Sequence, residues 1–177
     1  MSTLKFNKII PTAGVPTGGG GGVIQTVQAI QTDTTSVSIG ASSSYSHTGL
    51  QASITPIFST SKILITGFIT VSSDALPTSI GINVNGSLLT DLAGDAAGNR
   101  RRRHSIQHIR NDSSAATSIS ICGLHSPGST SQQTYDYRIS HTSGSTRTYY
   151  INRTPGDGDS TELARYISVI VLQEVSA

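Results

Sequence analysis

The chain has 177 residues, enough for one domain with a real core and too few for two comfortable ones. Only 12% of the residues are charged and the formal net charge is +2, too slight an imbalance to draw nucleic acid or an anionic membrane. Ser and Thr supply roughly a quarter of the chain beside 18 Gly and 6 Pro, and Ile, Val and Thr outweigh the long helix-favouring side chains, a balance that favours pleated sheet.

The opening "MSTLKFNKIIPTAGVPTGGGGG" contains no run of 7–15 apolar residues, so it does not read as a secretory signal. Nor does its glycine tract read as a phosphate loop, because no Lys and Ser/Thr follow it into a helix. Residues 1–22 read instead as an extended arm and Gly-rich linker. Leu4, Phe6, Ile9 and Ile10 are its docking side chains, and Pro11 and Pro16 keep it out of helix. Residues 23–177 form the domain.

From Val23 the chain reads as short strands divided by turn residues. "VIQTVQAIQT" comes first, and "LQASITP" then alternates Leu50, Ala52 and Ile54 up to Pro56. "KILITGFITVSS" places Ile63, Ile65, Ile69 and Val71 on one face and Leu64 and Phe68 on the other, the pattern of a central strand buried on both sides. "SIGINV" carries Ile80, Ile82 and Val84 into Asn85–Gly86, a hairpin dipeptide that leads to "SLLTDL". "HSIQHIR", "ATSISICGL", "QTYDYRIS" and "RTYYINR" keep the two-residue period, with Tyr135, Tyr137 and Ile139 sharing a face. "RYISVIVLQEV" closes the chain, with Ile167, Val169, Val171 and Val175 lining one side. About ten strands without a helical window predict an all-β fold, an antiparallel β-sandwich or jelly roll with an extended N-terminal arm.

Few residues point to chemistry. Cys122 lies in an alternating apolar run and reads as a buried small hydrophobe. His104 and His108 would stand about 13 Å apart on a strand, too far to share a zinc ion. His47, His125 and His141 show no ligand spacing. "PGDGDSTE" offers Asp157, Asp159 and Glu162 as an oxygen set for calcium, without the spacing of a complete EF-hand loop. No nucleophile–base motif is present, so the chain reads as a non-enzyme that needs no cofactor. The sequons at Asn85, Asn111 and Asn152 read as coincidence in a chain so rich in Asn, Ser and Thr.

The densest charge feature is "GDAAGNRRRRH". Arg100, Arg101, Arg102 and Arg103 lack interleaved aromatics for base stacking and read as a loop, or as contacts to an anion or a neighbouring subunit. Their acidic partners would be Asp91 and Asp95, or Asp157, Asp159 and Glu162 brought near by folding. Tyr45, Tyr149 and Tyr150 are the side chains that would stack on a glycan, against a plainer role in a core or interface.

"MSTLKFNKI", "GGVIQTVQAIQTDT", "LQASITPIFSTSKILITG", "GDAAGNRRRR" and "TYYINRTPGDGDSTELARYISVIVLQEV" together resemble a family of small β-proteins of tailed bacteriophages, many of them aquatic or marine. The resemblance covers nearly the whole chain and implies a virion structural or tail-fibre-like protein, with no catalytic or ligand residues to carry over. It implies a surface subunit anchored by the arm to other virion proteins and assembled in the host bacterial cytoplasm. It would serve as tail fibre, spike or head decoration. From the class one expects a homotrimer that touches host surface glycans, without nucleic-acid contact or membrane insertion. The alternative is a stand-alone carbohydrate-binding module.

Overall fold

A computed structural model describes residues 22–41, 45–73, 78–107 and 112–176. The predicted arm, with Leu4, Phe6, Ile9 and Ile10, lies outside the described residues, as does His108. Gly22, where description begins, is already tied to the sheet, its carbonyl accepting from Ser176 N–H at 3.1 Å.

Eleven strands follow in chain order: β1 (Val23–Gln31), β2 (Thr35–Ile39), β3 (Ser46–Ile54), β4 (Lys62–Ser73), β5 (Thr78–Val84), β6 (Ser87–Leu88), β7 (Ser105–Gln107), β8 (Thr117–His125), β9 (Gln133–His141), β10 (Arg147–Ile151) and β11 (Ser168–Val175). They form two antiparallel sheets. In the first, β4 is central: β8 pairs along one side, while β11 and then β10 pair along the other. β1 extends the sheet beyond β11, and β2 extends it beyond β10. In the second, β9 lies between β3 and β5, and β6 and β7 follow one another along the far side of β5.

The order β8–β4–β11–β1 therefore faces β3–β9–β5–β6, and the chain changes sheet at most of its connections. That is the double Greek-key wiring of a jelly roll. The fold is all-β and sandwich-like, as the two-residue periodicity predicts.

The inner faces interdigitate. The first sheet contributes Ile63, Ile65, Ile69, Val71, Ile119, Ile121, Ile170 and Leu172, and the second Leu50, Ile54, Ile80, Ile82, Tyr135, Tyr137 and Ile139. A close approach fixes the centre. Gly67 has φ +146°, and a Cβ there would lie 2.1 Å from the Val169 carbonyl oxygen and 3.0 Å from Tyr137 Oη. Only a residue without a side chain lets β4 and β11 pair at Gly67–Ile170 while the Tyr137 ring fills the space above.

Asn85–Gly86 forms the expected hairpin, with φ +50° and +86°. Asn85 also holds the neighbouring strand: its Oδ1 accepts from Thr134 N–H at 2.9 Å, and its Nδ2 donates to Gln133 Oε1 at 2.9 Å.

Several sequence expectations need correction. "SLLTDL" is strand only at Ser87–Leu88 and then turns into a 3-10 helix at Thr90–Leu92. β2 has no counterpart among the predicted strands, because Val37 and Ile39 are submerged in Ser and Thr. β4 is central but is not buried on both sides: its inner row is fully buried, whereas Leu64, Thr66 and Phe68 are only half-buried. Further along the same outer row Thr70 and Ser72 are buried, Thr70 Oγ1 donating to the Ile167 carbonyl at 3.0 Å and Ser72 Oγ to the Arg153 carbonyl at 2.7 Å, so the segment before β11 covers that end.

Candidate functional site

The outer face of the first sheet follows from strand parity. Directly opposed residues of antiparallel strands point to the same side. Ser120, Phe68, Val169 and Ile30 thus form one cross-strand row. Cys122, Thr66, Val171 and Gln28 form the next, and Leu124, Leu64, Gln173 and Thr26 the third. None of these side chains is charged. Half of them are large hydrophobes, and Ile30 and Leu124 keep 53% and 48% of their surface in water.

The C-terminal series that the sequence places on one side belongs here. Val169 and Val171 line the outer face, while the core side of β11 is Ile170, Leu172 and Glu174. Cys122 is likewise displaced from its predicted place. It is exposed, because Ile119 and Ile121 take the inward positions of β8 and the next even position must point out.

The arginine run lies elsewhere, in the loop before β7, and is largely occupied with backbone. Arg102 Nε donates to the Gly94 carbonyl at 2.5 Å and its Nη2 to the Thr90 carbonyl at 2.9 Å. Arg101 Nη1 donates to the His141 carbonyl at 3.1 Å, and Arg103 closes the loop by accepting from Gly94 N–H at its own carbonyl. Arg100 is exposed. His104 Nδ1 donates to the Leu92 carbonyl at 3.0 Å.

The acidic loop finds other partners. Asp157 pairs with Arg165 and lies 3.8 Å from Arg153. Among the described residues no group of three or more His, Cys, Asp or Glu side chains is arranged to hold a metal, so Asp157, Asp159 and Glu162 do not converge as a calcium set.

The three tyrosines are all packed. Tyr149 is fully buried and stacks on His141, with centroids 5.9 Å apart. The Tyr45 ring lies against Gly81, its hydroxyl donating to the Arg102 carbonyl at 3.2 Å. Burial raises the Tyr45 pKa, against the opposing pull of Arg103 and Arg101. Tyr150 lies beneath the Arg153 guanidinium, whose Cζ stands 4.1 Å from the ring centroid. They present no open aromatic row of the kind a carbohydrate-binding module uses.

Buried polar residues serve as struts. Glu174 accepts from Gln25 Nε2 at 2.6 Å and from the Ile57 and Phe58 amides at 2.8 and 3.2 Å. Burial alone would raise its pKa, but the donors of Gln25, Ser61, Phe58 and Ile57 outweigh it and hold the carboxyl below its usual range. His125 Nδ1 lies 2.8 Å from Tyr135 Oη, and burial depresses its pKa although Asp91 pulls the other way. Asn152, in the left-handed region at φ +60°, donates to the Gln31 and Asp33 carbonyls and accepts from Ser168 Oγ at 2.6 Å. Sequence reasoning missed Glu174 and Asn152, because a single polar residue in an apolar strand looks the same whether it faces water or a set of amides.

The chain matches no protein-family model and no curated protein sequence. Among the described residues, no helix is long and apolar enough to cross a membrane. On the outer face of the first sheet the three rows form an uncharged, half-apolar patch that Lys62 bounds on β4.

Proposed function

We propose that this chain is a structural subunit of a bacteriophage virion. In this reading it is a small homo-oligomeric jelly roll, trimeric by the habit of its class, held to the particle by residues 1–22 and displayed as a tail fibre, spike or head decoration. The observation that carries the structural part is the outer face of β8, β4, β11 and β1, where three successive cross-strand rows carry no charge and Lys62 follows in the next row. A surface of that character suits assembly, and it contains no nucleophile–base pair or paired carboxylates for catalysis. The virion assignment draws on the resemblance of "GDAAGNRRRR" and of the segment from Thr148 to Val175 to small phage β-proteins. Jelly rolls recur in capsid and lectin-like modules, in keeping with this role.

Deleting residues 1–22 tests the anchoring role. The truncated chain keeps its fold by circular dichroism and fails to enter particles. A truncated chain that enters particles at the wild-type level would overturn the arm as anchor. Glycan-array binding by residues 23–177 separates the two display sites: a bound host glycan supports a fibre or spike, and saturable binding to empty heads without glycan binding supports a decoration.

A further inference from the structure

Glu174 is fully buried near the end of the sandwich where β1 begins and β11 finishes, and its carboxylate reaches into the loop between β3 and β4, residues 55–61. Its Oε1 accepts from the Ile57 and Phe58 amides, and its Oε2 from Gln25 Nε2, which also donates to the Thr55 carbonyl at 2.7 Å. Ser61 N–H closes the turn on the Phe58 carbonyl at 3.1 Å, and Pro56 and Ser61 are buried on either side of the tip. With the amides of Ile57 and Phe58 turned in to one carboxylate, their side chains are left in water, 55% and 49% exposed. The other exposed residues of the loop, Thr55, Ser59 and Thr60, are polar. Scattered exposed hydrophobes are ordinary on a protein surface. These two are adjacent, on a tip that hydrogen bonds at Thr55, Ile57, Phe58 and Ser61 hold in one shape.

The N-terminal arm joins the domain at the same end. Gly22 is tied to Ser176, which stands about 7 Å along the chain from Glu174 at strand spacing. Val23, at the start of β1, is exposed there too. We propose that Ile57 and Phe58 are the domain's own contact with the protein that receives the arm, and that they enter an apolar pocket on it. This inference rests on the anchoring role of residues 1–22 given above and adds a second attachment point to it. Three observations favour that occupant. First, the chain from Ile10 to Gly22 reaches at most about 40 Å, so a protein that holds Leu4, Phe6, Ile9 and Ile10 stands close to this end of the sandwich. Once the arm is held, the tip meets its pocket as an intramolecular contact, at an effective concentration on the order of mM, and two side chains suffice where a free partner would need a full interface. Second, a tip already fixed in shape loses little entropy on docking, and ordered apolar side chains entering a pocket are the anchors that carry binding energy. Third, residues 55–61 contain no charged side chain, which suits an apolar protein pocket and offers nothing to a phosphate backbone.

The test uses the purified full chain and particles of a phage from which its gene is deleted, with binding read by cosedimentation. Wild type is expected to bind saturably. The double variant Ile57→Ser, Phe58→Ser keeps its fold by circular dichroism, because both side chains are exposed, and binds about tenfold more weakly or worse. Ile106→Ser removes an equally exposed isoleucine from β7, at the opposite end of β5 from the arm, and leaves binding unchanged. Phe58→Cys, made with Cys122→Ser so that it carries the one thiol, reacts with a maleimide in the free chain and is protected on the particle. A wild-type chain that does not bind these particles would overturn the virion reading and the tip contact with it. Binding that needs residues 1–22 but is unmoved by the double variant would overturn the tip contact and leave the anchor standing. A thiol at position 58 that is already protected in the free chain would put the arm or another copy over the tip, and so overturn the particle protein as its occupant.

Discussion

Replacing Gly67 by alanine puts a methyl group where the backbone of the next strand already stands. The new Cβ would lie 2.1 Å from the Val169 carbonyl oxygen, well inside the 3.0 Å that such contacts tolerate, with Ile170 Cα and Tyr137 Oη each at 3.0 Å. The obstacle is backbone, so no rotamer relieves it. Either β11 moves away, breaking the register that pairs Gly67 with Ile170 and Ile65 with Leu172, or β4 leaves φ +146° and carries Ile65 and Ile69 out of the core. Holding a non-glycine residue in this region costs about 1–3 kcal/mol. Forcing extra volume into a packed centre costs about 1–3 kcal/mol more. The expected loss of about 2–6 kcal/mol is a large part of the 5–15 kcal/mol that holds a typical domain together. For a chain of this size it lowers the melting midpoint by on the order of 10 °C. Urea denaturation of Gly67→Ala beside Gly144→Ala measures it, because at Gly144 an added Cβ meets nothing within 4 Å. A Gly67→Ala protein within about 1 kcal/mol of wild type, on the scale where ordinary surface substitutions fall, would refute the β4–β11 register and the packing built on it.

Three further outcomes follow from the buried polar struts. The folded pKa of Glu174 lies below its unfolded value, so its contribution is present above about pH 4.5 and is lost as pH falls through the folded value; Glu174→Gln lowers stability at neutral pH by about 1.5–3 kcal/mol and flattens the acid limb in denaturation curves measured from pH 3 to 7. His125 is displaced in the opposite sense. Its folded pKa is lowered, so the folded chain favours the neutral ring, and stability is full above about pH 6.5 and declines as pH drops from there toward the folded value; His125→Phe removes that slope between pH 5 and 7. Asn152→Ala strands the Gln31 and Asp33 carbonyls and the Ser168 hydroxyl, costing about 2–4 kcal/mol by the same denaturation assay.

Much of this architecture is legible in the sequence because period-2 alternation survives wherever one face meets a core. Tyr135, Tyr137 and Ile139 share a buried face on β9, and so do Ile80 and Ile82 on the paired β5. What alternation cannot decide is which face is inward when both carry hydrophobes. In β11 the outer Val169 and Val171 are as apolar as the inner Ile170 and Leu172, and in β4 the outer Leu64 and Phe68 rival the inner isoleucines. The same ambiguity put Cys122 in the core when the structure puts it in water. That ambiguity is itself informative, since a strand apolar on both sides in a two-layer fold leaves an apolar outer surface. The arginine run misleads for a different reason. Adjacent cations in sequence suggest acidic partners, yet a loop supplies its own acceptors, and Arg101 and Arg102 reach the carbonyls of His141, Gly94 and Thr90. Position in the chain gives no sign of which carbonyls a loop will turn toward them.

The most direct test of the proposed role is to locate the chain on the phage particle it is encoded with. Peptide mass spectrometry of gradient-purified virions, together with gold labelling of a tagged chain, is expected to find it at a fixed copy number on the tail or head surface. A chain that appears in the infected-cell lysate but is missing from purified particles would contradict the account.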